Sequence, residues 1–336
     1  MAVVDLSVLA AVRHVRLDDD PIQVAWDKAT RAVYALGGHL GRVYRIDPFS
    51  HRLRGSSSPT GAERLLLCPT HGGCGWLLRR DPAALLHVDL ASLIAERVIQ
   101  LPELPLDFDL SPQGNLAAVS LPRSGRVGLI DLEEGRVRAL VKCGDSAGLV
   151  RFRADGALVL AADPAARALV AIDVASAEVV VILPLPLEPR HMCFKPDGGE
   201  AFVTGPGMDA VVSVHPFLTQ VGSTAYVGRE PGAMAACQKP DLLFVANEGS
   251  GDISVLEMRT QRLIAGVTVG QQPCFILLTP DKSFVLVLNR LSGDMAVIRM
   301  DKLIARRAGR FAPLFTMIPV GSRPVSAVLV PFEGAG

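Results

Sequence analysis

Apolar residues in this chain come in short runs of four to seven, such as Leu65 to Cys68 and Val179 to Leu183, separated by turn residues. Runs of that length, rich in β-branched side chains, predict strands. Residues 231–272 show the pattern most clearly, as PGAMAACQKPD, LLFVANEGSG, DISVLEMRTQ and RLIAGVTVGQQ. Pro240-Asp241 predicts a first turn, Asn247 to Gly251 a second and Arg259-Thr260-Gln261 a third, so the stretch predicts four antiparallel strands without helical periodicity. Gly228 with Pro231, and Gly270 with Pro273, bracket the crossings between such stretches. Proline there stands at the first residue of a strand, where its missing N–H is tolerated.

The pattern recurs with a period of 42 from residue 21 to residue 299. Pro21, Pro105, Pro189, Pro231 and Pro273 keep the phase, and so do Asp47, Asp89, Asp131 and Asp173, continued by His215, Glu257 and Arg299. Four-stranded units of this length, repeated in tandem, describe an all-β propeller whose blades pack on both faces. Packing on both faces explains continuous apolar runs in place of strict alternation. Complete units begin at Pro21, Glu63, Pro105, Ala147, Pro189, Pro231 and Pro273.

The ends of the chain supply a further, composite unit. Residues 324–331 repeat a first strand, Val3-Val4-Asp5-Leu6 aligns with Leu129 to Leu132, and Val15-Arg16-Leu17 aligns with Val267 to Val269. A second strand is missing from that unit. The repeat count therefore leans to eight blades with a reduced closing blade made of 1–20 and 324–331, and the alternative is seven. The unbroken period argues for one domain over residues 1–336.

The composition is 49% hydrophobic and 20% charged, enough to bury a large core. Lys plus Arg equal Asp plus Glu at 34 each, so no global field favours nucleic acid or an anionic membrane. No apolar run approaches the roughly 18 residues that span a bilayer. Met1-Ala2-Val3-Val4-Asp5 lacks a basic segment followed by an apolar one, so the chain as written is expected in the cytoplasm. A natural start further upstream would point instead to the periplasm or the exterior.

Six cysteines show no Cys-x-x-Cys or haem-attachment pattern and read as buried free thiols. Cys68 and Cys74 flank a predicted hairpin turn at a spacing that suits no common zinc set, so neither metal nor cofactor is expected.

Four segments, Leu243-Phe-Val-Ala-Asn-Glu-Gly-Ser-Gly-Asp-Ile-Ser-Val-Leu, Pro273-Cys-Phe-Ile-Leu-Leu-Thr-Pro-Asp, Phe284-Val-Leu-Val-Leu-Asn and Ser292-Gly-Asp-Met-Ala-Val-Ile, resemble the YVTN-type propeller repeat of the surface-layer and lactonase-like superfamily. The resemblance is most specific in the last third of the chain and stays in phase from Pro21 onward. It implies a propeller, commonly of seven blades, more than an activity, since fold does not dictate function. Lactonases on related propellers, as the resemblance implies, use acidic, histidine and arginine groups around the channel.

In a propeller, the loops that enter the first strand and those that join the second and third strands surround the channel mouth, where binding residues gather. Arg79, Arg123, Asn247, Asn289, Arg290 and Arg323 fall there, and an arginine-rich rim suits a carboxylate or phosphate. Asn247 and Asn289 also read as turn residues at positive φ. Arg190, His191 and Glu230 form the most enzyme-like set, a base beside an acid with an arginine for an oxyanion. No nucleophile-elbow motif accompanies them. The primary expectation is therefore a non-catalytic binding or scaffold propeller for a small anion or a protein, with a lactonase-like hydrolase as the alternative.

Three further expectations are structural. The Asp series at 5, 47, 89, 131 and 173 predicts Asx-turns at the ends of third strands. Asp109 and Arg151, equivalent positions in successive units, predict a cross-blade ion pair. Residues 301–310 show helical spacing, with Leu303, Ile304 and Ala308 on one side and Lys302, Arg306 and Arg310 on the other, as a cover or docking element.

Overall fold

A computed structural model describes residues 1–305 and 313–331. Seven four-stranded antiparallel sheets follow one another along the chain, each in the sequential order of its strands. The third strands end at Asp47, Asp89, Asp131, Asp173, His215, Glu257 and Arg299, one residue of the repeat each. The phase is pinned there by chemistry. Asp47 Oδ1 accepts from Ser50 N, Asp131 Oδ1 from Glu134 N and Asp173 Oδ1 from Ser176 N, at 2.8 to 2.9 Å. Asp89 Oδ1 accepts likewise from Ser92 N, and Asp5 Oδ1 accepts from Ser7 N, two residues on. Each carboxylate closes the turn that leads into the outermost strand.

The core lies between blades, as a series of sandwiched clusters. In the second strand of the sixth blade, Leu242–Asn247, residues Leu242, Phe244 and Ala246 pack toward the seventh blade. Leu243 and Val245 pack toward the fifth. Alternation thus sends successive side chains to opposite apolar faces, which is why the run is apolar throughout. Complete burial of Phe244 alone contributes about 2–3 kcal/mol. Fourth strands, at the rim, are mostly exposed, as along Ile94–Gln100.

The termini close the ring. Ala2–Asp5 and Ala10–His14 form a two-stranded sheet. Val4, Leu6 and Leu329 pack on the seventh blade, and Val3, Val15 and Val330 on the first. Among the described residues, no main-chain pairing joins 324–331 to that hairpin or to a neighbouring strand. The structure therefore has seven four-stranded blades, the alternative count. The eighth position of the repeat is a two-stranded wedge, because its second strand has no counterpart in residues 1–20 or 324–331.

The inserted segment begins as a short helix, Met300–Ala305. Leu303 is buried under it, whereas Ile304 faces outward and does not share its side. Lys302 lies 3.6 Å from Asp301, and Arg306, Ala308 and Arg310 lie outside the described residues. Among the described residues, no helix is long and apolar enough to cross a membrane.

Candidate functional site at the propeller axis

First strands of neighbouring blades lie side by side at the axis without pairing their backbones. Side chains make the connection instead. Gln23 donates through Nε2 to Leu65 O at 2.6 Å and accepts through Oε1 from Leu65 N at 2.9 Å. Asp109 Oδ2 accepts from Phe152 N at 2.8 Å, Asp107 Oδ2 from Val150 N at 3.1 Å, and Ser326 Oγ from Val24 N at 3.2 Å. Each bridge satisfies a main-chain group that no β-ladder reaches.

One carboxylate in this ring carries two arginines. Asp107, buried, pairs through Oδ1 with Arg64 of the second blade and through Oδ2 with Arg151 Nη1 of the fourth at 2.6 Å. Arg151 was expected opposite Asp109. The difference is geometric: Asp109 Oδ2 is turned to the Phe152 amide, leaving Asp107, two residues earlier on the same face, to meet the guanidinium. Burial lowers the Arg64 pKa to about 10, and the like charge of Arg151 adds to the shift. Burial raises the Asp109 pKa against the pull of Phe152 N–H and both arginines. Beside this cluster, at the seam, an open pocket of about 460 Å³ is lined by Gln23, Glu63, Arg64, Phe275 and Ser326 among others.

A second group gathers farther round the ring. His191 opens the first strand of the fifth blade, His191–Phe194, and is exposed. Surrounding protein still desolvates it and lowers its pKa. Glu248 opposes that shift, and Arg190, Arg151 and Arg290 reinforce it. Glu248 Oε2 accepts from Gln272 Nε2 at 3.3 Å. The Cys274 thiol points at Pro324 O, 3.2 Å away, and burial raises its pKa while Arg290 works the other way. Arg290 Nε is buried with no hydrogen-bond partner among the described residues. An arginine donor withheld from both water and protein is costly, and an incoming oxygen anion would relieve it.

The residues singled out in the sequence therefore separate. Arg190, His191 and Arg290 share one electrostatic neighbourhood, and the acid coupled to His191 there is Glu248. Glu230 adopts φ +52°, donates its N–H to Asp209 Oδ1 at 2.9 Å, and passes its carbonyl to Glu248 N. Arg190 is exposed and donates through Nε to Glu188 Oε1 at 2.6 Å. Arg79 folds onto Pro82 O at 2.7 Å, within its own hairpin. Arg123 is exposed beyond the second strand of the third blade, and Arg323 is exposed at φ +51° just before the closing segment.

Asn247 and Asn289 are fully buried, with negative φ. Their Nδ2 groups donate to Asp252 Oδ1 at 2.6 Å and Asp294 Oδ1 at 2.7 Å, bracing the hairpin, while their Oδ1 atoms find no protein partner among the described residues. The positive φ of those turns falls on Gly251 and Gly293.

Arg64, Asp107, Gln272 and Cys274 escaped the sequence reading. A signal for the axis existed: the third position of each unit reads Gln23, Leu65, Asp107, Leu149, His191, Ala233 and Phe275, with Ser326 in the closing strand. The polar members of that column all turn to the channel or to the next blade.

No family model matches this chain, and no curated protein matches it in sequence. A solved structure titled Kuenenia stuttgartiensis Hydrazine Synthase superposes with a TM-score of 0.66 at 18% identity, over 86% of this chain and 98% of the matched one. At that identity the likeness shows the fold alone. The chain is a β-propeller repeat protein of seven four-stranded blades.

Proposed function

We propose that the protein is a binding propeller that takes a small oxygen anion, a carboxylate or phosphate, at the channel mouth beside Arg290, Arg190 and His191. The observation that carries this reading is the buried, partnerless Arg290 Nε. Arg290 offers a planar fork of donors, Arg190 adds positive field at the rim, and His191 supplies an N–H that becomes a second cationic donor on protonation. Glu248 disfavours dianions and leaves room for a ligand that also offers a hydroxyl or ammonium to a carboxylate. A thermal-shift screen of carboxylates, phosphates and sugar acids tests the reading. At least one should raise the melting temperature of the wild type and not that of Arg290→Ala. If no anion stabilises the wild type, or if Arg290→Ala responds equally, the mouth is not an anion site.

A hydrolytic reading draws on a different observation, the lowered pKa of His191, which keeps its imidazole in the unprotonated form that can accept a proton beside Glu248. The resemblance of residues 231–299 to lactonase-like repeats names the reaction to assay. Turnover of a sugar lactone by the wild type, lost in His191→Ala, would support it.

A further inference from the structure

The hairpin between the first two strands of the second blade carries donor atoms that the channel does not use. Cys68 follows the strand Ala62–Leu67, Cys74 opens the strand Cys74–Arg79, and His87 lies in the neighbouring strand Ala84–Asp89. The ladder sets Cys74 opposite Asp89 and Trp76 opposite His87, so Cys74, Trp76 and His87 share one face of the sheet. The two sulfurs and a ring nitrogen of His87 all lie within 4.8 Å of one another. Zn–S bonds of about 2.3 Å and Zn–N bonds of about 2.0 Å span that spacing.

The setting fixes the imidazole. His87 Nδ1 is 3.3 Å from Glu96 Oε2, which leaves Nε2 for an ion, and the Trp76 ring walls the imidazole at 4.9 Å between centroids. A carboxylate behind a ligating histidine orients the ring and raises its basicity. The turn is also held from outside its own blade: Gly73 N donates to Asp27 Oδ2 at 3.2 Å, while Cys68 N donates to Cys74 O at 3.1 Å. Cys68 and Cys74 are bonded to each other in the structure, Cα to Cα 5.8 Å, where buried free thiols were expected.

We propose that Cys68, Cys74 and His87 form a site for a thiophilic divalent cation of the zinc type, available when the cysteine pair is reduced. A thiol or phosphine reductant supplies two electrons and two protons complete the dithiol. Metal binding then forms two sulfur–metal bonds and releases both protons, while Nε2 of neutral His87 donates its lone pair. Two thiolates and one imidazole favour zinc-like ions over magnesium or calcium, and three protein ligands leave a fourth position for water. The site rests on a hairpin joining first and second strands, at the opposite end of the blade from the loops that carry Glu248 and Arg290. It is independent of the anion reading.

The probe is Co²⁺ titrated into the full chain held reduced by a phosphine. One ion per chain should bind, with a thiolate-to-cobalt charge-transfer band in the near ultraviolet and the visible absorption of a four-coordinate ion. His87→Ala should weaken binding at least tenfold, and Glu96→Gln by about tenfold through its contact with His87 Nδ1. Cys68→Ser with Cys74→Ser should remove the charge-transfer band, and the unreduced protein should not show it. Should His87→Ala fail to fold, His87→Gln takes its place, with unfolding midpoints recorded for every variant. The proposal is overturned if the reduced wild type shows no such band at saturating Co²⁺, if the band survives the double serine variant, or if loss of His87 leaves affinity unchanged.

Discussion

Asp107 Oδ2 accepts from Arg151 Nη1 at 2.6 Å across the boundary between the third and fourth blades, while its other oxygen faces Arg64 of the second. Three blades thus share one buried carboxylate at the axis. Its removal deprives two guanidinium groups of the carboxylate they pair with, leaving them to the field of Asp109, and leaves the Val150 amide without an acceptor. Breaking a buried pair by deleting one partner costs about 3–5 kcal/mol, discounted here because both arginines keep some solvent contact. Asp107→Ala is expected to lose about 3 kcal/mol in urea unfolding. Asp107→Asn should lose less, because its amide oxygen still serves Val150 N, and adding Arg151→Met to Asp107→Ala should recover part of the loss. Additive losses in that double variant would mean the two side chains are not coupled.

Two glycines set 42 apart make the same close approach. A Cβ at Gly270 would stand 2.6 Å from Asn289 Nδ2 and 2.3 Å from Ser292 Oγ, and one at Gly228 would stand 2.6 Å from Asn247 Nδ2 and 2.5 Å from Ser250 Oγ. Asn289 is fully buried and tied to Asp294, so it has no free volume into which to retreat. Gly270→Ala should therefore cost about 1–3 kcal/mol, as overpacking does. In a background carrying both Asn289→Ala and Ser292→Ala the same substitution should cost much less, and denaturant midpoints of the four proteins in the cycle give the coupling directly.

These particulars show what a sequence can and cannot display. The third-strand ends were legible because an Asx-turn needs one residue type at one place, and Asp47, Asp89, Asp131 and Asp173 state it openly. Blade number was less legible. Residues 324–331 carry the apolar pattern of a first strand, yet pattern alone does not reveal whether a partner strand exists to pair with it. At the axis, cross-blade contacts join residues about one period apart whose facing depends on a two-residue choice, Asp107 or Asp109, made by a single main-chain amide. His87 joined the cysteines through strand register, which a list of cysteine spacings does not contain.

The turn carboxylates predict an acid limit to stability. Hydrogen bonds from Ser50 and from Arg54 hold the Asp47 carboxyl well below its ordinary range, Ser92 does so for Asp89, and Ser176 for Asp173. A carboxylate whose folded pKa is depressed adds stability that is complete above its unfolded value of 3.8 and is lost as pH falls through the lower, folded value. Unfolding midpoints should therefore drop steadily below about pH 4. Replacing Asp47, Asp89 and Asp173 together by Asn should lower stability at about pH 6, and the gap to wild type should narrow toward about pH 2. A gap independent of pH would assign the loss to turn geometry and not to charge.

The proposed anion capture at the mouth would carry a proton signature. Burial lowers the folded pKa of His191 below its ordinary 6.5, so the free protein holds this imidazole neutral through most of the range near neutrality. An anion seated beside Arg290 stabilises the imidazolium and raises that pKa, so the complex binds more protons than the free protein between the two values. Affinity must then rise as pH falls from the higher of these two values toward the lower, by up to tenfold per unit where one proton is taken up. Calorimetry in two buffers of different ionisation enthalpy should read fractional proton uptake in that window. His191→Asn should bind with an affinity that is flat across it. A wild type whose affinity is equally flat, with no proton uptake, would place the anion away from His191 and leave Arg290 to hold it alone.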